Sequence, residues 1–206
     1  MVAIIDYDAG NIKSVEKAVA FLGKEAVITR EASTILGADH VILPGVGSFG
    51  DAMEKLHSYD LIPVLNEAVE RQIPFMGICL GLQLLFEESE ESPGVKGLGL
   101  LPGTIKRIPA RKGLKIPHIG WNSLSIPRAG RLYQGIDEAA YVYFVHSYYL
   151  EAREEDIVTA VTEYGVTIHA SIERGNMFGC QFHPEKSSEI GLKLLDNFLK
   201  LEREDS

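Results

Sequence analysis

The chain is predicted to fold as a three-layer α/β domain with a mixed, mostly parallel central sheet and extra antiparallel strands in its second half. Three observations carry that expectation. Short apolar runs alternate with helix-period segments as far as Phe86, Gly- and Pro-punctuated β-branched and aromatic runs fill Gly94 to Tyr164, and one amphipathic segment follows near the end. Alternation of this kind implies parallel strands joined by crossover helices that cover both faces of the sheet.

The elements follow in order. Val2 to Tyr7 reads as a strand, and Val15, Val19 and Leu22 lie at helical spacing until Gly23 stops the pattern. Glu25–Thr29 and His40–Leu43 are further short strands, and Leu61–Glu70 is a helix with Leu61, Leu65, Ala68 and Val69 on one face. Pro74 to Ile78 is an apolar strand that runs through Cys79 into a helical stretch from Leu80 to Phe86. In the second half the clearest strands are Tyr141–Val145, Ile157–Thr162, Val166–Ser171 and Phe178–Phe182. A last helix over Ser188–Leu201 has Leu192, Leu195 and Leu199 on its core face, with Ser187 or Ser188 as N-cap.

Length and composition narrow the function classes. A chain of 206 residues, 46% hydrophobic and 24% charged, has the makeup of one globular domain over 1–206. Its net charge of −9 argues against a nucleic-acid backbone as partner. Two cysteines, Cys79 and Cys180, cannot build a disulfide framework and show no ligand spacing, so a reducing cytoplasmic setting, no metal and no cofactor are expected. The opening Val2-Ala3-Ile4-Ile5 has no basic region or cleavage site, so no export signal is expected. No apolar stretch is long enough to cross a bilayer.

Gly77-Ile78-Cys79-Leu80-Gly81 is a nucleophile elbow with sulfur in place of the usual hydroxyl. Glycines on both sides permit a sharp strand-to-helix turn in which neighbouring backbones leave no room for a Cβ. Such a cysteine needs a base, and the histidines are His40, His57, His118, His146, His169 and His183. Only His183 follows a strand and precedes Pro184-Glu185, where an extended backbone puts His183 and Glu185 on one face. The carboxylate then fixes the tautomer of the ring, which makes Cys79, His183 and Glu185 a catalytic triad. Cys180 and the other five histidines read as structural. Gly45-Val46-Gly47-Ser48-Phe49-Gly50 fits a dinucleotide fingerprint, but no acidic residue closes the next strand to hold a ribose. Backbone N–H groups for an oxyanion are the better use of these glycines.

The chain resembles the class I, triad-type glutamine amidotransferases along essentially its full length. More narrowly, it is similar to the glutaminase subunits of imidazole glycerol phosphate synthases in histidine biosynthesis. The segments that carry the likeness are Asp6-Tyr7-Asp8-Ala9-Gly10-Asn11, Pro44 to Gly50, Gly77 to Gln83, Pro117 to Asn122, Tyr143 to Tyr148 and Gln181 to Ser188. The elbow and the His-Pro-Glu motif specify chemistry, while Pro44-Gly45-Val46-Gly47, Gly120-Trp121-Asn122 and His183 to Ser187 narrow the subunit. Asp8-Ala9 depart from the pattern common at those positions.

The resemblance implies that Cys79 attacks the amide of glutamine, that His183 carries the proton to ammonia and that Glu185 orients His183. It implies an oxyanion hole from the N–H of Leu80 and one from Val46-Gly47, the latter turned away until a partner is engaged. It further implies substrate contacts from Gln83, Ser147 and Tyr148, and docking of a (β/α)8 cyclase subunit, as a heterodimer, on Asn11, Trp121 and Tyr143. Three alternatives stay open on the motifs alone: the glutaminase of another complex such as pyridoxal phosphate synthase, a non-enzymatic regulatory relative, and a cysteine peptidase of similar fold.

Overall fold

A computed structural model describes residues 1–10 and 12–202. The chain forms β1 (Val2–Ile5), α1 (Ile12–Phe21), β2 (Ala26–Thr29), α2 (Ala32–Leu36), β3 (His40–Leu43), α3 (Phe49–Ser58), α4 (Leu61–Glu70), β4 (Phe75–Ile78) and α5 (Leu80–Leu84). It continues through β5 (Glu88–Ser89), β6 (Gly103–Arg107), β7 (His118–Ser123), β8 (Tyr141–His146), β9 (Tyr148–Ala152), β10 (Val158–Glu163), β11 (Thr167–Arg174) and β12 (Met177–Cys180) to α6 (Ser188–Leu199).

The main sheet has seven strands in the order β10-β11-β12-β4-β3-β1-β2. All pairs from β12 to β2 are parallel, and β10-β11 and β11-β12 are antiparallel. The mixed, mostly parallel sheet with antiparallel additions is therefore as expected. Smaller sheets, β5-β6-β9 and β7-β8, flank it.

Side-chain alternation along the strands divides the core in two. Val2, Ile4, Ile42, Met76 and Ile78 face one way and pack with α1, α6 and the inner face of β7-β8. Ala3, Ile5, Val41, Leu43 and Phe75 face the other way and pack with α2 to α5 and the β5-β6-β9 sheet. Every residue of β1, β3 and β4 is buried, which explains why these strands read as apolar runs interrupted only by His40.

Three local expectations need correction. The last helix ends at Leu199, and its core stripe is Leu194, Leu195, Phe198 and Leu199, with Leu192 only half-buried. Ser187 occupies the N-cap position without capping; its hydroxyl donates to the His183 carbonyl at 2.6 Å and accepts from the Tyr143 N–H at 2.9 Å. The segment after His183 is not extended either, because Pro184–Lys186 forms a 3-10 turn.

Parallel order matters for function. β3, β4 and β12 are neighbours running the same way, with Leu43 opposite Gly77 and Gly77 opposite Gly179. Their carboxyl ends thus deliver Gly45, Cys79 and His183 to one edge of the sheet, where open α/β sheets form their binding crevices.

Candidate active site

Cys79 sits between β4 and α5 with φ +55° and ψ −109°, a conformation that a side chain rarely adopts and that marks a strained elbow. The turn is held by close packing: a Cβ at Gly81 would stand 1.8 Å from the Leu43 carbonyl oxygen, and one at Gly77 would stand 2.6 Å from the Gly81 carbonyl oxygen. The sulfur, nearly buried at the floor of a cavity, lies 3.8 Å from the Val145 carbonyl and accepts an amide N–H of Gln181 at 3.7 Å.

His183 faces this sulfur on one side and Glu185 on the other. Its Nδ1 meets Glu185 Oε1 at 2.8 Å, both side chains being almost fully buried. Burial alone would push the imidazole toward neutrality, but hydrogen bonds to Cys79 and Glu185, with their charges, override it and push the ring up to about 10. The contact expected from strand alternation is made by the 3-10 turn instead, which brings Glu185 Oε1 to the ring's Nδ1. Burial pushes the Cys180 thiol up, with Glu185 and Cys79 adding to the effect, in keeping with a core role for that residue.

The cavity encloses about 340 Å³, at the small end of the range for ligand clefts. Its lining brings together Cys79, His183, Val46, Gly47, Leu80, Gln83, Ser147 and Tyr148, all singled out from the sequence, and adds Glu91, Pro117, His146 and Lys186. Gln83 commits both amide hydrogens, one to the Tyr148 carbonyl at 3.0 Å and one to Gln181 Oε1 at 3.0 Å, leaving its Oε1 for other partners. The Leu80 N–H donates to the Gly45 carbonyl at 3.4 Å. The Gly45-Val46 peptide thus presents an acceptor to the start of α5, and its own N–H points the opposite way.

The model of the class-I glutamine amidotransferases matches residues 3–201. The chain belongs to that family. Among relatives within it, a subunit named imidazole glycerol phosphate synthase subunit HisH from Moorella thermoacetica is 54% identical over 202 residues, covering 98% of this chain and 95% of the relative. A protein of the same name from Desulfitobacterium hafniense is 49% identical over 206 residues, covering 100% and 97%. Of solved structures, one glutamine amidotransferase superposes with a TM-score of 0.75 at 20% identity over 97% of this chain and 98% of the other. PurLQS from Thermotoga maritima gives 0.71 at 21% identity over 96% of each chain. At such identities these structures speak for the fold alone.

The dinucleotide-like loop offers a phosphate none of the first three N–H groups of α3: the Phe49 N–H is taken by Glu91 Oε2 at 2.8 Å, the Gly50 N–H by Ser92 Oγ at 2.9 Å and the Asp51 N–H by Ser48 Oγ at 3.3 Å. Among the described residues no three His, Cys, Asp or Glu side chains gather as metal ligands, and no helix is long and apolar enough to cross a membrane.

On the outer face of β7-β8, Trp121 stands across from Tyr143, their rings 6.0 Å apart edge to face. With Ile119, Tyr141 and Val145 they form an apolar patch in which Trp121 is 52%, Tyr141 58% and Ile119 59% exposed. Asn11 lies outside the described residues. Three contributors escaped the sequence reading. Gln181 bridges Gln83 to the sulfur. Tyr7 donates to the Pro44 carbonyl at 2.7 Å, underpinning the loop above Cys79. Glu91 holds the start of α3 at the cavity wall.

Proposed function

We propose that the chain is the glutaminase subunit of an imidazole glycerol phosphate synthase, acting as a single domain in the cytoplasm. The observation that carries this reading is the meeting of Cys79 and His183 in one small cavity, with Glu185 bonded to the far nitrogen of His183. Names and full-length likeness of the relatives support the choice of complex.

In the first half-reaction Cys79 Sγ attacks the side-chain amide carbon of glutamine, forming an S–C bond and placing negative charge on the oxygen. The oxyanion is met by the N–H of Leu80 and one from Val46-Gly47 once the Gly45 carbonyl has turned out of the way. His183, cationic because the sulfur and Glu185 face it, gives its proton to the nitrogen as the C–N bond breaks and ammonia leaves. Water, relieved of a proton by the now neutral His183, then cleaves the thioester to glutamate and restores the sulfur. Gln83, Ser147 and Tyr148 hold the substrate, and Glu91 and Lys186 offer opposite charges to its α-ammonium and α-carboxylate.

Ammonia in water near neutral pH is mostly protonated and no longer nucleophilic, so it must be passed on under cover. The apolar patch of exposed Trp121 and half-buried Tyr143 is where a (β/α)8 cyclase subunit docks to form a heterodimer, apolar anchors of this type being what interfaces favour.

The test is Cys79→Ala assayed in the complex. Glutamine-dependent turnover should fall by about 10³-fold or more, while turnover on free ammonium salts persists. Loss of both activities, or survival of the glutamine-dependent one, overturns the reading.

A further inference from the structure

Two buried histidines that have no part in the triad lie on the inner face of β7-β8, toward the cavity. The β7-β8 register sets His118 directly opposite His146, and both side chains point inward. His118 Nδ1 lies 2.9 Å from His146 Nε2, His146 Nδ1 lies 2.8 Å from the Tyr148 carbonyl, and Asn122 Nδ2 lies 3.4 Å from His118 Nε2. The His118 ring is clamped between Phe144 and Tyr164, with centroids at 4.7 and 3.8 Å.

Only one placement of protons satisfies these contacts. A carbonyl accepts and never donates, so His146 Nδ1 carries hydrogen. Its Nε2 is then a lone pair, and His118 Nδ1 must donate to it. His118 Nε2 in turn is left to accept from the Asn122 amide. A further proton on His146 would set two N–H groups head-on at 2.9 Å. Burial acts in the same sense, pushing His146 down to about 3 and His118 down to about 4.

The order does not stop at Tyr148. Its carbonyl also receives Gln83, Gln83 reaches Gln181, and Gln181 reaches the Cys79 sulfur. We propose that His118 is a positioning residue for glutamine binding: its Nδ1–H fixes the tautomer of His146, which fixes the Tyr148 carbonyl and the Gln83 amide that wall the pocket. His146 lines the cavity and His118 does not, so His118 acts only through its neighbour. This rests on the glutaminase reading for its kinetic consequence, but not for its proton placement.

Two measurements test it. In the unmodified protein with 15N-labelled histidine, long-range 1H–15N spectra at neutral pH should show His118 and His146 both neutral with hydrogen on Nδ1, the signals being assigned from the His118→Asn and His146→Asn variants. Hydrogen on Nε2 of either ring, or a cationic ring, overturns the proposal whether or not the complex turns over glutamine. In the complex, His118→Phe keeps the ring stack but loses the donor, and should raise KM for glutamine about tenfold with kcat within about twofold. His118→Asn places an amide N–H where Nδ1 was and should bring KM back to within about threefold of the parent. A fall in kcat at unchanged KM, or equal defects in the Phe and Asn variants, overturns the proposal. An unmodified complex that fails to use glutamine would instead remove the glutaminase reading, and the spectra would still decide the proton order.

Discussion

His183 and His146 line the same cavity, with His118 one ring behind His146, and all three are buried to a similar degree, yet His183 differs from the other two in charge state. His183 is pushed up to about 10, whereas His146 and His118 are pushed down to about 3 and about 4. Burial lowers all three rings. What separates them is the partner: His183 faces a sulfur and a carboxylate, while His146 faces a carbonyl and a second imidazole. Burial makes charge expensive, and only an anion within hydrogen-bond reach reverses that cost. On the proposed reading, one ring is thereby kept as an acid for the leaving nitrogen, and the other two serve as rigid connectors.

The most severe way to break this contrast is to remove the anion. Glu185→Gln should lower kcat for glutamine hydrolysis by about 10³-fold, and the alkaline limb of the pH–rate profile should move toward neutrality because burial then acts on His183 with less opposition. A profile left in place would mean that Glu185 does not set the charge of His183.

A second, smaller effect separates docking from the neutral pair beneath it. Trp121→Ala should weaken association with the cyclase subunit about thirtyfold, measured by titration calorimetry, with little change in the melting temperature of the isolated subunit. A large drop in melting temperature with association intact would show that the ring is part of the core.

The mildest effects lie in the pH dependence of stability, and here His183 and the His118–His146 pair should differ in sign. Between the ordinary histidine value of 6.5 and about 10 the folded state holds a proton on His183 that the unfolded chain releases, so this ring's contribution is complete below 6.5 and is lost as pH rises. Between 6.5 and about 4 the unfolded chain takes up protons that folded His118 and His146 refuse, so stability falls as pH drops. Relative to the parent, His183→Asn should flatten the alkaline side of a melting-temperature profile and His118→Asn the acid side. Flattening on the same side in both variants would collapse the distinction.

How much of this could be read in advance depended on distance along the chain. Cys79 with its flanking glycines, and His183-Pro184-Glu185, are local patterns in which neighbours in sequence are neighbours in space, and both were legible. The doubly buried strands β1, β3 and β4 were legible because their runs are almost wholly apolar. The five residues of α2 were not, since little more than one turn cannot show a helical period. Gln181 looked like an ordinary strand residue, and His118 and His146 looked structural, because their pairing depends on the register of β7 against β8 across 28 positions. Ser187 occupies the expected cap position, yet tertiary partners claim its hydroxyl.

The hydrogen bond from the Leu80 N–H to the Gly45 carbonyl has the widest reach. A Cβ at Gly45 would stand 2.5 Å from the Tyr7 hydroxyl, so only the smallest residue fits at this hinge, and Gly47 at φ +101° gives the far end of the segment the same freedom. Half a revolution of that amide plane would exchange an oxygen for a hydrogen beside the Leu80 N–H. On the proposed reading, idling and working forms of the subunit differ by a toggle of two torsions, and a docked companion need only tip that toggle to set an already assembled machine running.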